Sequence, residues 1–515
     1  MIELLDTTLR DGSQAAGISL SQRDRQSVLD VMDELGIPLT EAGSFSPAEA
    51  FFLNEAKAQE TKLVAFGMTR RPGISPEEDE RLRALAESDV SVVSLVGKAD
   101  AAQTVTVLGV SRKENLSMIR DSVQMLVRAG KRVIFDAEHF FDGFYHDREY
   151  AMACLSAAEE ADTLCLCDTK GGRLPEEVRG AVTAVRAAFP DKKLGIHAHD
   201  DCGMAVACSL AAVEAGCVHV QGTLLGLGER CGNANLATLA GLFTLKLGLD
   251  VLPVGRLSRL THACRKLAGI LNIPLPGNAP FVGINAFTHK AGMHIDGVLK
   301  EPSAFEQIAP SAVGNTRRLL ASQQAGKALI WSMTRDRWPQ LDKNDPDIRS
   351  LAELLKEKEE QGYRYEDADA SLKLILHREL DHPQEYFTLE EFKIITDRTL
   401  GEQQTNRAVA VIKLSVGGNS ALVAAEGDGP VHAMDIALRQ ALERFYPELM
   451  QVKLLDYKVH VIDSSSGSAA RVQVAIQSGD SEKTWNTVGV STDIIDASWQ
   501  ALVDSLAYKL MEEKL

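Results

Sequence analysis

Nowhere does this 515-residue chain run long enough without charge to suggest a membrane span: no stretch of about 18 or more apolar residues occurs. Also missing is a basic, then apolar, N-terminal segment with a cleavage site, since Met1-Ile2-Glu3-Leu4-Leu5-Asp6 turns acidic at once. A cytoplasmic location is the expectation. Cysteine is sparse, with 8 residues, all between Cys154 and Cys264, and no paired Cys-x-x-Cys spacing. That pattern excludes a disulfide scaffold and a zinc ribbon, and the thiols read as reduced and mostly core. Cys165 and Cys167 flank Leu166 on one strand face, where packing is the better reading than redox or metal chemistry. Positive charge is in deficit: the formal net charge is -17, which excludes a nucleic-acid or anionic-membrane surface. An anionic substrate would then need a locally positive site, and a metal ion would supply one.

At 515 residues the chain exceeds one ordinary core, and its 45% hydrophobic content is ample for two or three domains. Strand-like runs at 2–6, 39–41, 63–68, 90–96, 132–136, 163–167, 194–199 and 218–223 come first. Between them lie helical patterns at 21–35, 76–88, 112–129, 147–161, 175–189, 204–215 and 235–247. This alternation predicts an α/β fold, a (β/α)8 TIM barrel, over residues 1–275. Pro274-Leu275-Pro276-Gly277-Asn278-Ala279-Pro280 then breaks the periodicity. Helical linker subdomains are expected over 276–385, including the charged stretch 351–366. From 386 to 515, strand-like runs at 408–416, 453–463 and 470–476 interleave with helical segments at 430–444 and 494–511. They predict a C-terminal α+β domain with no catalytic constellation, suited to regulation or dimerisation. Its Gly417-Gly418-Asn419 and Ser464-Ser465-Ser466-Gly467 segments read as hairpin turns.

The barrel region is organised around Gly195-Ile196-His197-Ala198-His199-Asp200-Asp201. Successive strand side chains alternate faces, so His197 and His199 point the same way and can chelate one divalent cation. Polar residues cluster where strands end: Arg10 with Asp11, Glu41, Lys98, Glu138 with His139, Asp168 with Thr169, and Glu229 with Asn233. Helix capping or solvation could explain any one of them, but not histidine pairs and carboxylates on a single rim. A cation there would chelate a 2-oxoacid and make its carbonyl carbon electrophilic. Asp11 is the best third ligand, in Leu9-Arg10-Asp11-Gly12, and Asn233 can add a carbonyl oxygen from the last loop. Mn2+, Mg2+ and Zn2+ all suit two imidazoles, a carboxylate and water. Arg10 could stabilise a developing enolate or alkoxide, and Glu138 could serve as an acid, a base or an orienting carboxylate.

Asp6-Thr7-Thr8-Leu9-Arg10-Asp11-Gly12, His197-Ala198-His199 and Gly228-Glu229-Arg230-Cys231-Gly232-Asn233-Ala234 resemble the signature of the isopropylmalate, homocitrate and citramalate synthases. The resemblance spans nearly the whole chain, including Gly292-Met293-His294-Ile295-Asp296-Gly297. Val133-Ile134-Phe135-Asp136-Ala137-Glu138-His139-Phe140-Phe141-Asp142-Gly143 and Leu166-Cys167-Asp168-Thr169 look closest to the citramalate-forming branch.

The resemblance implies an acyltransferase that condenses acetyl-CoA with a 2-oxoacid, pyruvate favoured, early in isoleucine biosynthesis. It implies metal ligation by Asp11, His197, His199 and Asn233, reaction roles for Arg10 and Glu138, and an oxoacid contact from Arg10 and Thr169. It further implies a homodimer in which His294 reaches the neighbouring barrel, and a C-terminal domain that senses isoleucine. The alternatives are isopropylmalate or another 2-alkylmalate synthesis, and, further off, carbon–carbon lyase chemistry. Three positions depart from the family pattern: Asp200, Leu225 and Lys170. A carboxylate at Asp200 beside a metal would repel an oxoacid, whereas Lys170 would attract an additional acidic group.

Overall fold

The computed structural model describes residues 2–44, 50–290, 292–319, 330–331, 333–335, 337–342, 344–365, 368–383, 385–398, 406–462, 470–480 and 483–513. They form two compact units, Met1–Phe287 with Glu306–Arg317, and Thr288–Phe305 with Arg318–Leu515.

The first unit is a closed parallel barrel in strict chain order: β1 (Glu3–Asp6), β2 (Leu39–Ser44), β3 (Lys62–Met68), β4 (Val92–Lys98), β5 (Arg132–Glu138), β6 (Thr163–Asp168), β7 (Lys193–Ala198) and β8 (His219–Gly222). β1 pairs with both β2 and β8, which closes the ring. The fold is therefore the α/β barrel that the strand and helix alternation predicts.

Two cores follow from the strand period. On β5, Val133, Phe135 and Ala137 face the surrounding helices, whereas Ile134 joins Leu5, Leu39, Val64, Val92, Cys165 and Cys167 inside the barrel. The helices supply the outer layer for sequence reasons that are easily read. Gln22–Leu35 starts at a Ser21–Asp24 capping box and buries Val28, Leu29, Val31, Met32 and Leu35 on one face. It stops at Gly36, whose left-handed φ of 79° and close approach to Pro253 exclude a side chain. Phe135 is fully buried, and truncating it to alanine would cost about 3–5 kcal/mol.

Further along each strand the barrel interior turns polar. Glu3, Arg132 and His219 close the N-terminal end: Arg132 donates to both Glu3 carboxylate oxygens at 2.7 and 2.6 Å, and His219 Nδ1 lies 3.0 Å from Oε2. Asp136 and Gln221 stand toward the opposite end, where the C-terminal loops form the active face.

In the second unit, helices Gly292–Lys300, Pro346–Glu360 and Asp369–Asp381 accompany a short parallel pair, β9 (Thr288–His289) and β10 (Arg318–Leu319). The charged helix begins and ends earlier than the 351–366 pattern suggests, turning out at Gln361 and Gly362. Two antiparallel sheets follow. One is β11 (Thr388–Arg398), β12 (Asn406–Val416) and β13 (Asn419–Gly427), covered by Pro430–Leu442. The other is β14 (Lys453–Val461), β15 (Val472–Gly479) and β16 (Thr484–Ser491), covered by Ile494–Glu513. The two halves thus repeat one order, three strands and a helix, which makes this the predicted α+β domain. Gly417 and Gly418 join β12 to β13 with φ of 54° and 85°, as a two-residue hairpin requires. The Ser464–Gly467 turn falls outside the described residues. Among the described residues, no helix is long and apolar enough to cross a membrane.

Candidate active site

A cavity of about 280 Å³ opens at the C-terminal ends of the barrel strands. Arg10, Asp11, Glu138, Thr169, His197 and His199 all line it, although they come from four different strand ends. His197 lies on β7 and His199 just beyond, bridged to Asn233. Their rings stand 5.1 Å apart at 70°, on the shared face that the strand period demands.

Asp11 Oδ2 lies 3.5 Å from His197 Nε2 and 3.8 Å from His199 Nε2. One ligand atom from each of the three residues falls within 4.8 Å of the others, and all three residues are buried. Burial pushes His197 down to about 3, with His199 adding to the effect, and burial also lowers His199. Burial alone would raise Asp11, but the Arg10 charge, above all, holds it below the usual carboxylate range. The set is thus two neutral imidazoles and one carboxylate, the protonation states a divalent cation needs. Nδ1 of both histidines and Oδ1 of Asn233 are buried without a protein partner, so polar capacity remains for a ligand or its water. These residues fit a divalent cation.

Arg10 is held from three sides. Its Nε donates to Glu41 Oε2 at 2.6 Å, its Nη1 to Asp11 Oδ2 at 3.2 Å, and its guanidinium lies 4.4 Å from the Phe66 ring centroid. Glu138 Oε2 pairs with Lys98 Nζ at 2.7 Å. Thr169 Oγ1 accepts the His139 N–H at 2.8 Å, which leaves its own O–H free to donate into the cavity. His294 belongs to the second unit, where it is exposed on Gly292–Lys300 with its ring 4.5 Å from that of Phe305.

The three departures from the family pattern lie off the cavity lining. Asp200 accepts the Ala205 N–H at 2.8 Å, at the start of the next helix, and is not among the residues that line the cavity. Lys170 is tied to Asp142 at 3.0 Å rather than left to attract an acid. Leu225 packs against the apolar core.

Three consecutive loops of the rim are laced together. Arg230 donates from Nε and Nη2 to the two Asp201 carboxylate oxygens at 2.8 and 2.9 Å, and from Nη2 to Thr169 O at 2.7 Å. Gly171, at φ +61°, leaves no room for a β-carbon, which would meet Asp201 Oδ2 at 2.5 Å and His199 O at 2.7 Å. Within the cavity lining, Asp136 accepts from Ser94 Oγ and from Gln221 Nε2. Asp136, Cys165 and Cys167 form a second group of convergent donors, but burial pushes the Cys165 thiol well up and keeps it protonated.

With this geometry in view, known proteins give a consistent picture. Residues 1–254 match the HMGL-like family model, 281–362 the homocitrate synthase post-HMGL domain-like model, and 366–510 the LeuA allosteric (dimerisation) domain. The (R)-citramalate synthase of Aquifex aeolicus (strain VF5) is 41% identical over 100% of this chain and 98% of its own. That of Synechocystis sp. is 42% identical over 98% and 96%, and that of Geobacter sulfurreducens 40% over 99% and 98%. The chain belongs to the (R)-citramalate synthase family.

Some parts of the site in this member of the (R)-citramalate synthase family escaped the sequence. Asp136 and Gln221 enter from positions two residues before Glu138 and two after His219, so the strand period could have placed them inside. Arg230 sits in the quoted last-loop motif, but nothing local reveals that it reaches Thr169 and Asp201. Glu41 was legible as a rim carboxylate, though not as the partner of Arg10.

Proposed function

We propose that this chain condenses acetyl-CoA with pyruvate to give citramalate and CoA. The observation that carries the reading is the convergence of Asp11, His197 and His199 beside Arg10 at a barrel mouth, in a chain of this family. Asp11, His197 and His199 would hold a divalent cation, Mn2+, Mg2+ or Zn2+, with Asn233 at its edge; when bound, the cation polarises the oxoacid carbonyl. Thr169 Oγ–H donates to the oxoacid carboxylate. Arg10, fixed by Glu41 and Phe66, presents a permanent charge to the oxygen that becomes negative as the acetyl methyl carbon attacks. Glu138, held by Lys98, handles the methyl proton.

The domain match at 366–510 supports a dimer under allosteric control. In this reading isoleucine is the effector, His294 completes the neighbouring subunit's site, and the enzyme works in the cytoplasm. Release of free CoA thiol, followed with acetyl-CoA and a panel of 2-oxoacids, tests the substrate. Pyruvate should give the highest kcat/KM, and preference for a branched 2-oxoacid would reassign the chain to another 2-alkylmalate synthesis. Titration of the same assay with isoleucine, leucine and valine tests the effector, and indifference to all three would leave the domain a purely assembling role.

A further inference from the structure

His139 follows Glu138 at the end of β5 and adopts φ 60° and ψ 25°, a left-handed conformation that a residue with a side chain enters only against a conformational cost. The turn puts its imidazole between two carboxylates. Nε2 lies 3.8 Å from Glu138 Oε1, and Nδ1 lies 3.5 Å from Asp142 Oδ2. Nδ1 is buried and makes no contact of full hydrogen-bond geometry, but it leans toward Asp142, the nearer of the two acids, while Nε2 faces Glu138. Catalytic hydrogen bonds are often this long before substrate binds.

The groups around the ring form a line from the cavity outward. Glu138 lines the cavity and pairs with Lys98. On the far side Asp142 is held by Arg173 and by Lys170, whose side chain is 57% exposed. Burial holds the His139 pKa below the ordinary histidine value; Lys98 lowers it further, while Glu138 and Asp142 oppose. The ring is therefore neutral near pH 7 and able to accept a proton.

The proposed reaction makes a demand on this line. It joins the acetyl methyl carbon to C2 of pyruvate, breaks a methyl C–H bond, and then exchanges the thioester C–S bond for a C–O bond to water. Acetyl-CoA, the pyruvate anion and water become the citramalate dianion, CoA thiol and one proton, so each turnover must discharge a proton from the site. We infer that His139 is a positioning residue that carries this proton from Glu138 to Asp142. The methyl proton taken by Glu138 passes to Nε2, the Nδ1 proton passes to Asp142 Oδ2, and solvent takes it beside Lys170, while the hydrolytic water gives its oxygen to the acyl carbon and its two protons to the C2 alkoxide and the CoA thiolate. The inference rests on the condensation reading and on Glu138 as the base.

The test compares His139→Asn and His139→Gly with the wild-type holoenzyme in the CoA-release assay. Asn and Gly both accept a left-handed backbone, so each keeps the turn while removing the ring. Expected are a kcat lower by roughly 100-fold in both variants, KM values close to wild type, and a saturable recovery of His139→Gly on adding free imidazole. A wild-type kcat in either variant overturns the relay. So does a loss that imidazole fails to repair, which would assign His139 to shaping the turn that buries Phe140 and Phe141. A wild-type enzyme that releases no CoA from pyruvate removes the condensation reading and the relay together. Normal wild-type turnover beside unaffected variants removes the relay alone.

Discussion

Arg10 Nε and Glu41 Oε2 meet at 2.6 Å, and Glu41 has no solvent exposure. An arginine beside a metal ligand could swing among several carboxylates; this pair, with the Phe66 ring beneath it, fixes one pose. Glu41→Gln should therefore lower kcat by roughly tenfold or more, because the planar donor loses its aim. Cation binding should stay unchanged. Steady-state kinetics beside calorimetric Mn2+ titration checks both halves, and an effect on cation affinity alone would contradict the assignment.

For the cation ligands, His197→Ala and Asp11→Ala should each abolish turnover and weaken Mn2+ or Zn2+ binding, with native circular dichroism. Each change deletes one of the three convergent donors Asp11, His197 and His199. Metal content after dialysis gives a readout separate from rate. Full occupancy in both variants would move the cation elsewhere.

The N-terminal end of the barrel gives a stability prediction with a definite sign. Burial would raise Glu3, yet hydrogen bonds from His219 and Arg132 outweigh it and hold its carboxyl well below the usual range. A carboxylate lowered in this way stabilises the fold above its unfolded pKa, and that contribution fades as pH falls through the folded pKa. Glu3→Gln should cost about 2 kcal/mol near neutral pH, and the gap from wild type should narrow at about pH 4 and below. Urea unfolding at several pH values checks it.

His294 makes a prediction about assembly. A His294→Ala chain and a His197→Ala chain, each inactive alone, should regain some activity when mixed and allowed to exchange subunits. No recovery despite verified exchange would mean that His294 does not act across a dimer.

What could be read in the sequence tracks how local each feature is. The barrel strands are apolar runs buried on both faces, and His197 with His199 needs only the strand period. The strands β11 and β13 went unread for reasons visible in their residues. β13 buries Ala421, Val423 and Ala425, two of them too small to signal a strand, while β11 carries Glu390, Glu391 and Lys393 within it. The helix Phe140–His146 has Gly143 at its middle, which masks its pattern. In the site, Asp11 and Arg10 were legible from their motif. The pairing of Arg10 with Glu41, 31 residues away, and the reach of Arg230 across to Thr169, 61 residues away, are products of barrel closure that no local window contains.

Gly171 bears on how this barrel could be reshaped for another oxoacid. Any side chain there would press on Asp201 and on the carbonyl of His199, so a loop substitution would be transmitted to a residue that faces the cation position. Libraries that randomise the loop after β6 should keep this glycine and place their diversity at Met68 and Val96, whose side chains line the same cavity from β3 and β4 without holding Arg10. Adaptation of this enzyme is thereby channelled to one wall of the barrel mouth, while the opposite wall stays mechanically committed to holding its ligands.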